Sequence, residues 1–262
     1  MTLVRSELQV RSRATLGWVV GIALLVVMIM AFYPAVKKLP SLDAIYTNLP
    51  KAFQGLLGGA DLVSPAGYLR TQLFAFFLPA VLLILGMGRA ASTLAGEEED
   101  RTLDLLLAQP LSRTRLYADK AVAVVIWLSM ATAAALVPLL ALNSLAGLHL
   151  PVGDLTAACV QMGLLCVAAS LACQAVSSAT GRRIIGIGAV GYYLFVSYLV
   201  FGLSTAVSWL GPLRPFTIWR WYLGNDPLGH GFNITSVLVL AVVSVAVTAV
   251  GAAAFNRRDL HA

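Results

Sequence analysis

The segment GEEEDRTLDLLLAQPLSRTRLYADK, residues 96–120, is a long charged interval in a sequence that otherwise consists mainly of apolar runs. It opens with four consecutive acids and ends with Arg113, Arg115 and Lys120. Each charge would cost about 2.5–3.5 kcal/mol at the centre of a membrane-spanning helix. The segment therefore lies in water, and the apolar runs on its two sides are predicted to be membrane spans.

A leucine stripe inside this segment predicts a short amphipathic helix. Leu103, Leu106 and Leu107 recur at i, i+3 and i+4, so they share one helical face. The first turn carries the acids Glu97, Glu98, Glu99 and Asp100. Carboxylates are favourable at the positive end of a helix, and Pro110 ends the helix at about Gln109. A leucine face in an aqueous loop needs a surface to cover it, which favours a docking site over the alternative, a solvated linker.

Composition assigns the chain to the polytopic membrane proteins. Of its 262 residues, 59% are hydrophobic and 11% are charged, whereas a soluble domain has about 25% charged residues. The net charge of +6 could indicate nucleic-acid binding. However, the basic residues lie beside the ends of apolar runs, so membrane orientation explains them better and no nucleic-acid partner is expected.

Hydropathy predicts an all-α fold with six transmembrane helices. The spans are expected at about residues 16–36, 68–94, 121–142, 155–180, 184–208 and 234–255. Residues 1–14 combine basic and apolar side chains, which predicts an interfacial helix before the first span. A signal peptide is the alternative for this region, but the apolar run from Leu16 to Val36 has the length of a span.

Two features predict how the chain sits in the membrane. Twelve of the 18 lysines and arginines fall on the side of the N-terminus and six on the other, which predicts that both termini are cytoplasmic. Residues 209–232 hold Trp209, Trp219 and Trp221 together with prolines and arginines. This segment is either a surface loop or a short re-entrant helix pair outside the cytoplasm.

Several kinds of chemistry find no support in the sequence. No GxxxxGK[ST] phosphate loop occurs, so the chain is not expected to be an ATPase or any other enzyme. The interiors of the predicted spans lack acids, lysine and histidine, with Arg89 near an inner end, which disfavours an ion-driven carrier. The cysteines Cys159, Cys166 and Cys173 form one helical stripe, for which helix packing is favoured over a metal site.

The charged segment resembles the cytoplasmic segment of ABC type-2 transporter permeases. In that family acids, Thr-Leu, a leucine run, proline and a basic cluster follow in the order found in residues 96–120. FNRRDL, residues 255–260, is similar to the basic tail of many such permeases, and GNDPL, residues 224–228, also has a familiar pattern. With the six-span layout, the resemblance covers nearly the whole chain.

The resemblance implies a specific set of partners. The helix from about Glu98 to Leu107 would be a coupling helix, seated in a groove of a separate ABC ATPase subunit. Its contact residues would be Glu97, Glu98, Glu99, Asp100, Leu103, Leu106, Leu107, Arg113 and Arg115. Arg182 and Arg183 would form a second cytoplasmic contact.

The resemblance also implies the assembly and its chemistry. Two ATPase copies would bind ATP and magnesium, with no cofactor in this chain itself. A second permease copy or a paralogue would complete the translocation path, and residues 209–232 would be re-entrant. The family further implies an exporter in the cell membrane.

One other class of function fits the same residues. The chain could be a membrane anchor or assembly factor that recruits a cytoplasmic protein without transporting anything. Charge reversal at Glu98 and Glu99 is expected to uncouple an ATPase in the transporter while leaving membrane insertion intact. In the fifth span, two interpretations are open for a group of small and aromatic residues: close approach to a partner, or tyrosines at the membrane interface and in helix packing. These residues are Gly186, Gly188, Gly191, Tyr192, Tyr193 and Tyr198.

Overall fold

The computed structural model describes residues 12–38, 48–56, 63–101 and 112–258 as a bundle of helices, with no strand among them. Six helical segments are long and apolar enough to cross a membrane, which confirms the predicted all-α, six-span fold. Spans 1 to 6 are Thr15–Val36, Pro65–Ser92, Arg113–Leu142, Val152–Thr180, Arg183–Leu203 and Ile234–Arg257. The predicted N-terminal interfacial helix lies outside the described residues up to the start of the span 1 helix at Ser12.

Span 3 begins earlier than hydropathy predicted. Its helix starts at Arg113 instead of at about Ala121, because the Ser112 hydroxyl accepts a hydrogen bond from the Arg115 amide and caps the first turn. A 30-residue helix is about 45 Å long, so it extends beyond a hydrocarbon core of about 30 Å. Lys120 consequently belongs to the span helix, where 2% of it is exposed.

Span 2 is interrupted near its middle. Its first part is the helix Pro65–Leu69 followed by the π-helical turns Arg70–Phe74, and its second part is the helix Phe77–Ser92. The break precedes Pro79, so this proline does not cause it. Pro79 lies in the first turn of the second helix, where the missing N–H costs no intrahelical hydrogen bond.

Span 4 is the centre of the bundle and contacts spans 2, 3, 5 and 6. The neighbouring spans can approach span 4 closely because they have glycines at the contact points. A Cβ atom at Gly86 of span 2 would lie 2.4 Å from Ser170 Oγ, and one at Gly251 of span 6 would lie 2.6 Å from the Ala175 Cβ. Span 4 itself is rich in alanine, serine and cysteine, so helix backbones pack closely without large side chains between them.

The polar residues of span 4 are buried within this packing. Cys159, Cys166 and Cys173 are all fully covered, and the Cys173 thiol lies 3.5 Å from the Met87 carbonyl oxygen. No group of histidine, cysteine or acidic residues in the described ranges could hold a metal ion. As buried residues of the central span, the three cysteines contribute small, polarisable packing surface.

The segment between spans 5 and 6 folds back into the bundle. It contains a 3₁₀ helix, Ser208–Phe216, and the short helices Arg220–Leu223 and Pro227–His230. The Trp219 indole N–H donates to the Leu194 carbonyl, 3.1 Å away and about halfway along span 5. The Tyr222 hydroxyl donates to the Phe74 carbonyl at 3.0 Å, near the break in span 2. We call Ser208–His230 the inserted segment.

An ion pair fixes the inserted segment to span 2. Arg70 Nη1 lies 2.9 Å from Asp226 Oδ1, and Arg70 Nη2 donates to the Leu223 carbonyl at 3.1 Å. Asp226 adopts a left-handed backbone conformation with φ of 45° in the GNDPL run. Arg70 is one of the six basic residues counted on the outer side; it lies in the π-helical part of span 2, where its charge is balanced by Asp226.

A short helix, Lys51–Leu56, packs against the end of span 5 at Gly202. A Cβ atom at Gly55 would lie 2.1 Å from the Gly202 carbonyl oxygen, so the two backbones touch there. The Tyr198 hydroxyl donates to the Leu56 carbonyl at 2.5 Å. This helix therefore covers the end of span 5 that is opposite to residues 96–101.

We expect Gly186→Val to destabilise the bundle. A Cβ atom at Gly186 would lie 1.9 Å from Ser177 Oγ and 2.8 Å from the Cys173 carbonyl oxygen, so span 5 would have to move away from span 4. Overpacking of this kind costs about 1–3 kcal/mol. The measurement is the thermal unfolding temperature of the full chain in detergent. Gly188→Val is the matched control, since a Cβ atom there meets nothing within 4 Å, and equal unfolding temperatures for the two variants would contradict the packing.

Candidate functional site

The acids of the charged segment form their own short helix at the end of span 2. This acidic helix, Ala95–Glu99, follows a turn at Thr93 and Leu94, and it carries Glu97 and Glu98 in its first turn. Arg101 then has a φ of 56°, which an α-helix cannot contain. The helix that carries the acids therefore ends at Glu99, and the helix expected from Glu98 to Leu107 does not run continuously through Arg101.

Glu97 makes an ion pair with Lys120 of span 3. The Lys120 Nζ atom donates to Glu97 Oε1, and only a small fraction of either side chain is exposed, 2% for Lys120 and 20% for Glu97. An ammonium group that is this deeply buried needs a carboxylate beside it, because leaving it uncompensated costs several kcal/mol. The pair therefore joins the end of span 2 to span 3.

Glu98 binds Arg258 at the end of span 6. Both guanidinium nitrogens donate to the carboxylate, Nη2 to Oε1 at 2.6 Å and Nη1 to Oε2 at 2.8 Å. Arg258 Nη1 also donates to the Ser178 carbonyl of span 4 at 3.1 Å. Bidentate charge-assisted hydrogen bonds are among the stronger polar contacts in proteins. One arginine thereby connects the acidic helix with spans 4 and 6.

Gly181 makes room for this arginine. Its φ of 69° ends span 4 in a left-handed turn, and a Cβ atom there would lie 2.2 Å from Arg258 Nη2. Any larger residue would be strained by the backbone conformation and would displace the guanidinium group. The tight connection between spans 4 and 5 is thus shaped around Arg258.

Glu99 holds the beginning of span 5. The Arg183 amide donates to Glu99 Oε1 at 2.9 Å, and Arg183 Nε donates to Oε2 at 2.6 Å. Asp100 lies farther from the same guanidinium group, with 3.8 Å between Asp100 Oδ1 and Arg183 Nη2. The carboxylate therefore satisfies one free amide in the first turn of span 5 and pairs with the side chain of the same residue.

Arg183 lowers the pKa of Glu99. Hydrogen bonds from the Arg183 amide and side chain stabilise the charged carboxylate and outweigh its slight desolvation. Because the folded pKa lies below the ordinary value of 4.5, the contact contributes its full stabilisation above that pH. It is lost only as the pH falls through the lowered pKa, so the contact persists at neutral and mildly acidic pH.

The structure brings together some of the predicted contact residues. The acids and Arg183 form the cluster described above, and Arg113 joins it by donating to the Arg258 carbonyl at 3.0 Å. Arg115 and Arg182 are exposed nearby. Leu103, Leu106 and Leu107 lie outside the described residues.

Two members of the cluster were not recognised from sequence. Lys120 was assigned to the loop and Arg258 to a basic tail, yet both are partners of the acids. The available signal was charge complementarity, since three consecutive glutamates are matched by single basic residues at the ends of spans 3, 5 and 6. We call Glu97, Glu98, Glu99, Lys120, Arg183 and Arg258 the ion-pair cluster.

A second feature is an apolar groove between spans 2 and 5. Its volume is about 580 Å³, and it lies against the inserted segment at Trp219. Gly191 lies in the wall of the groove and leaves space there. A Cβ atom at Gly191 would be 3.8 Å from the Met87 methyl group, an ordinary van der Waals contact. The other lining residues are Phe76, Ala80, Leu83, Ile84, Gly88, Ile187, Leu194, Phe195 and Tyr198. With this lining the groove suits an apolar molecule or an apolar helix face.

A family model described as "ABC-2 family transporter protein" matches residues 1–260. Searches of curated proteins and of solved structures find no match.

We expect Glu97→Gln to destabilise the protein through Lys120. The variant removes the carboxylate from a buried ammonium group, for which a loss of about 3–5 kcal/mol and a fall of about 5–15 °C in unfolding temperature are expected. The measurement is thermal unfolding of the full chain in detergent at pH 7. Asp119→Asn is the matched control, because the Asp119 carboxylate makes no ion pair in the described part of the chain.

A double variant separates the ion pair from the local packing. Glu97→Leu combined with Lys120→Met removes both charges, so it should be less destabilised than Glu97→Gln alone. If Glu97→Gln and Asp119→Asn unfold at the same temperature, the ion pair does not hold spans 2 and 3 together.

Proposed function

The chain belongs to the ABC-2 transporter family and is a multi-pass permease subunit of an ABC transporter, and we propose that it is an exporter subunit driven by a separate ATPase docked on residues 96–120. ABC-2 permeases generally work with an ABC ATPase partner. ATP and magnesium would bind in that partner, since the sequence has no phosphate loop of its own.

The ion-pair cluster is the observation that supports coupling through residues 96–120. The acidic helix is tied by Lys120, Arg183 and Arg258 to the ends of spans 3, 5 and 6. A displacement of the adjoining segment by ATP-driven closure of the ATPases would therefore move several spans together. A flexible linker would absorb the same displacement without transmitting it.

Docking and transmission are divided between different residues in this proposal. The acids are engaged inside the permease, so the contact with the ATPase is assigned chiefly to the leucine face of Leu103, Leu106 and Leu107. Arg115 and Arg182 are exposed beside the ion-pair cluster and supply charged contacts at the rim of that surface.

The apolar groove supports an assignment of the translocation path. We propose that spans 2 and 5 of this chain face the same spans of a second copy or of a paralogue, with the path between them. Two ATPases would serve the two permease chains. In the cell membrane, both termini and the acidic helix would lie in the cytoplasm, as the distribution of basic residues favours.

We expect Leu106→Asp to prevent ATPase binding without unfolding the permease. A carboxylate in the centre of an apolar docking face leaves a desolvated charge in the interface, so ATPase recovery should fall at least tenfold. The measurement is affinity purification of the tagged chain from its native membrane in mild detergent, followed by protein identification and an ATP hydrolysis assay. Leu145→Asp is the control, since Leu145 is 79% exposed at the opposite end of the bundle.

Two results would contradict this docking assignment. Recovery of the ATPase with Leu106→Asp at the level of the unaltered chain would exclude the leucine face. Recovery of the unaltered chain without any nucleotide-binding partner would favour a membrane anchor. Charge reversal at Glu98 and Glu99 is a less direct test, because it also breaks the contacts to Arg258 and Arg183.

We expect a cysteine at Gly191 to cross-link two copies of the chain if the permease is a homodimer. The three native cysteines are buried, so Gly191→Cys presents a single accessible thiol in the groove. The measurement is treatment of membranes with a short bismaleimide and detection of a dimer by denaturing electrophoresis. Gly21→Cys, on the exposed face of span 1, is the control. Dimers from Gly21→Cys and none from Gly191→Cys would place the interface on span 1 instead.

A further inference from the structure

A second apolar groove lies between spans 5 and 6, on the surface of span 4. Its volume is about 250 Å³. Span 4 contributes alanines to the lining, span 6 contributes valines, and the inserted segment borders the groove with an aromatic ring. Residues that line it include Ala168, Ala172, Tyr193, Trp221, Val239 and Val247. We call this the lateral groove.

The lateral groove has the dimensions of a single hydrocarbon chain. Val239 and Val247 both line it and are eight residues apart on span 6, so it runs for about 12 Å along that helix. With this length, its mean cross-section is about 20 Å². A helix with side chains has a diameter of about 10–12 Å and does not fit. The groove therefore suits an extended chain that runs parallel to the spans, and not a helix of a second copy.

The polar groups in the lining already have partners within the protein. The Tyr193 hydroxyl donates to the Phe216 carbonyl at 3.1 Å, and the Thr217 hydroxyl donates to the Arg214 carbonyl at 2.7 Å. No charged side chain is among the described residues that line the groove. The groove therefore offers burial to an apolar group, which is what a hydrocarbon chain needs.

The lateral groove opens to the outside of the bundle. Tyr193 and Val243 line it and are 48% and 37% exposed. Leu194 lines both this groove and the one between spans 2 and 5, so the two lie on adjacent sides of span 5. Since the groove between spans 2 and 5 is assigned to the second permease chain, the lateral groove is the one that lipid can enter.

Arg220 places a positive charge beside the lateral groove. Its central guanidinium carbon lies 5.6 Å from the centre of the Trp221 ring, within the range of a cation–π contact, and Trp221 lines the groove. The arginine is exposed, and no carboxylate of the described residues lies within 4 Å of it. Arg70, by contrast, is neutralised by Asp226. The N–H donors of Arg220 can therefore bind an anion from outside the chain.

A backbone contact fixes the level of Arg220 along span 5. Two residues before it, the Ile218 amide donates to Ser197 Oγ at 3.2 Å. Ser197 precedes Leu203, the end of span 5 away from the acidic helix, by six residues or about 9 Å. Span 5 is about 31 Å long, close to the hydrocarbon thickness of about 30 Å. The Arg220 backbone therefore lies below the headgroups of that leaflet, where its long side chain extends toward them and a cation needs an anion beside it.

We propose that the lateral groove binds one acyl chain of a membrane phospholipid whose phosphate pairs with Arg220, in the leaflet away from the acidic helix. The acyl chain lies along span 6 between the alanines of span 4 and the wall of span 5, and the guanidinium group donates to the phosphate oxygens. One lipid molecule thereby contacts three spans and the inserted segment, and it holds that segment in its folded-back position.

Native mass spectrometry of the full chain tests the phosphate contact. Phosphatidic acid and diacylglycerol with identical acyl chains, which differ only in the phosphate, are titrated separately into the delipidated protein in detergent. The unaltered chain should bind phosphatidic acid about tenfold more tightly. Arg220→Gln should reduce this preference to less than twofold, whereas Arg182→Gln, at an exposed arginine of the opposite end, should keep it. An unchanged preference in Arg220→Gln would overturn the proposal.

A variant that fills the groove tests the acyl-chain contact. Val243→Trp adds a large side chain at a partly exposed position of the lining, so it should weaken the binding of both lipids at least fivefold. Val245→Trp is the matched control, because Val245 is 70% exposed on the same span and does not line the groove. Equal affinities in these two variants would show that the chain does not occupy the groove.

A photoreactive lipid locates the bound molecule. Phosphatidic acid with a diazirine in one acyl chain should label the groove-lining peptides of span 4 or span 6 in the unaltered chain, and this labelling should be lost in Val243→Trp. Labelling confined to other spans would overturn the proposal. Displacement of the lipid by inorganic phosphate at equal concentration would identify a site for a free anion instead. None of these measurements depends on an ATPase or on transport.

Discussion

The close approach of the neighbouring helices to span 4 is the constraint on which the rest of the bundle depends. Lipid offers no hydrophobic drive for helices to associate, so packing between small residues has to supply it. Gly86, Gly186 and Gly251, one from each of three neighbouring spans, touch span 4 at points where a Cβ atom would collide. These contacts fix the positions of the span ends, and the positions of the span ends decide which charged groups can meet.

The ion-pair cluster follows from that placement. Charged groups collect at one end of spans 2, 3, 5 and 6, and consecutive glutamates on one helical turn point in different directions. Glu97, Glu98 and Glu99 therefore reach three different spans rather than one common partner. A single helical turn thereby connects much of one end of the bundle.

Hydropathy was enough to predict six spans, because the length and composition of each apolar run are local properties. The partners of the charged residues were not predictable in the same way. Arg70 and Asp226 are far apart in sequence, and no periodicity links them. The start of span 3 was predicted at about Ala121 instead of Arg113, because the first turns of this helix are charged. The Ser112 cap and the burial of Lys120 allow these charged turns to be helical. The end of the acidic helix at Glu99 depends on the backbone of Arg101, which composition does not reveal.

The sequence separations within the ion-pair cluster determine when it can form during synthesis. Glu97 meets Lys120 after 23 residues, Glu99 meets Arg183 after 84, and Glu98 meets Arg258 only after 160. At about 5–20 residues per second, the last pair is delayed by roughly 10–30 s after Glu98 is made. Until span 6 has been inserted, Glu98 remains a free carboxylate at the membrane surface. The Arg258 contact is therefore a late step of biogenesis, completed only when all six spans have entered the bilayer.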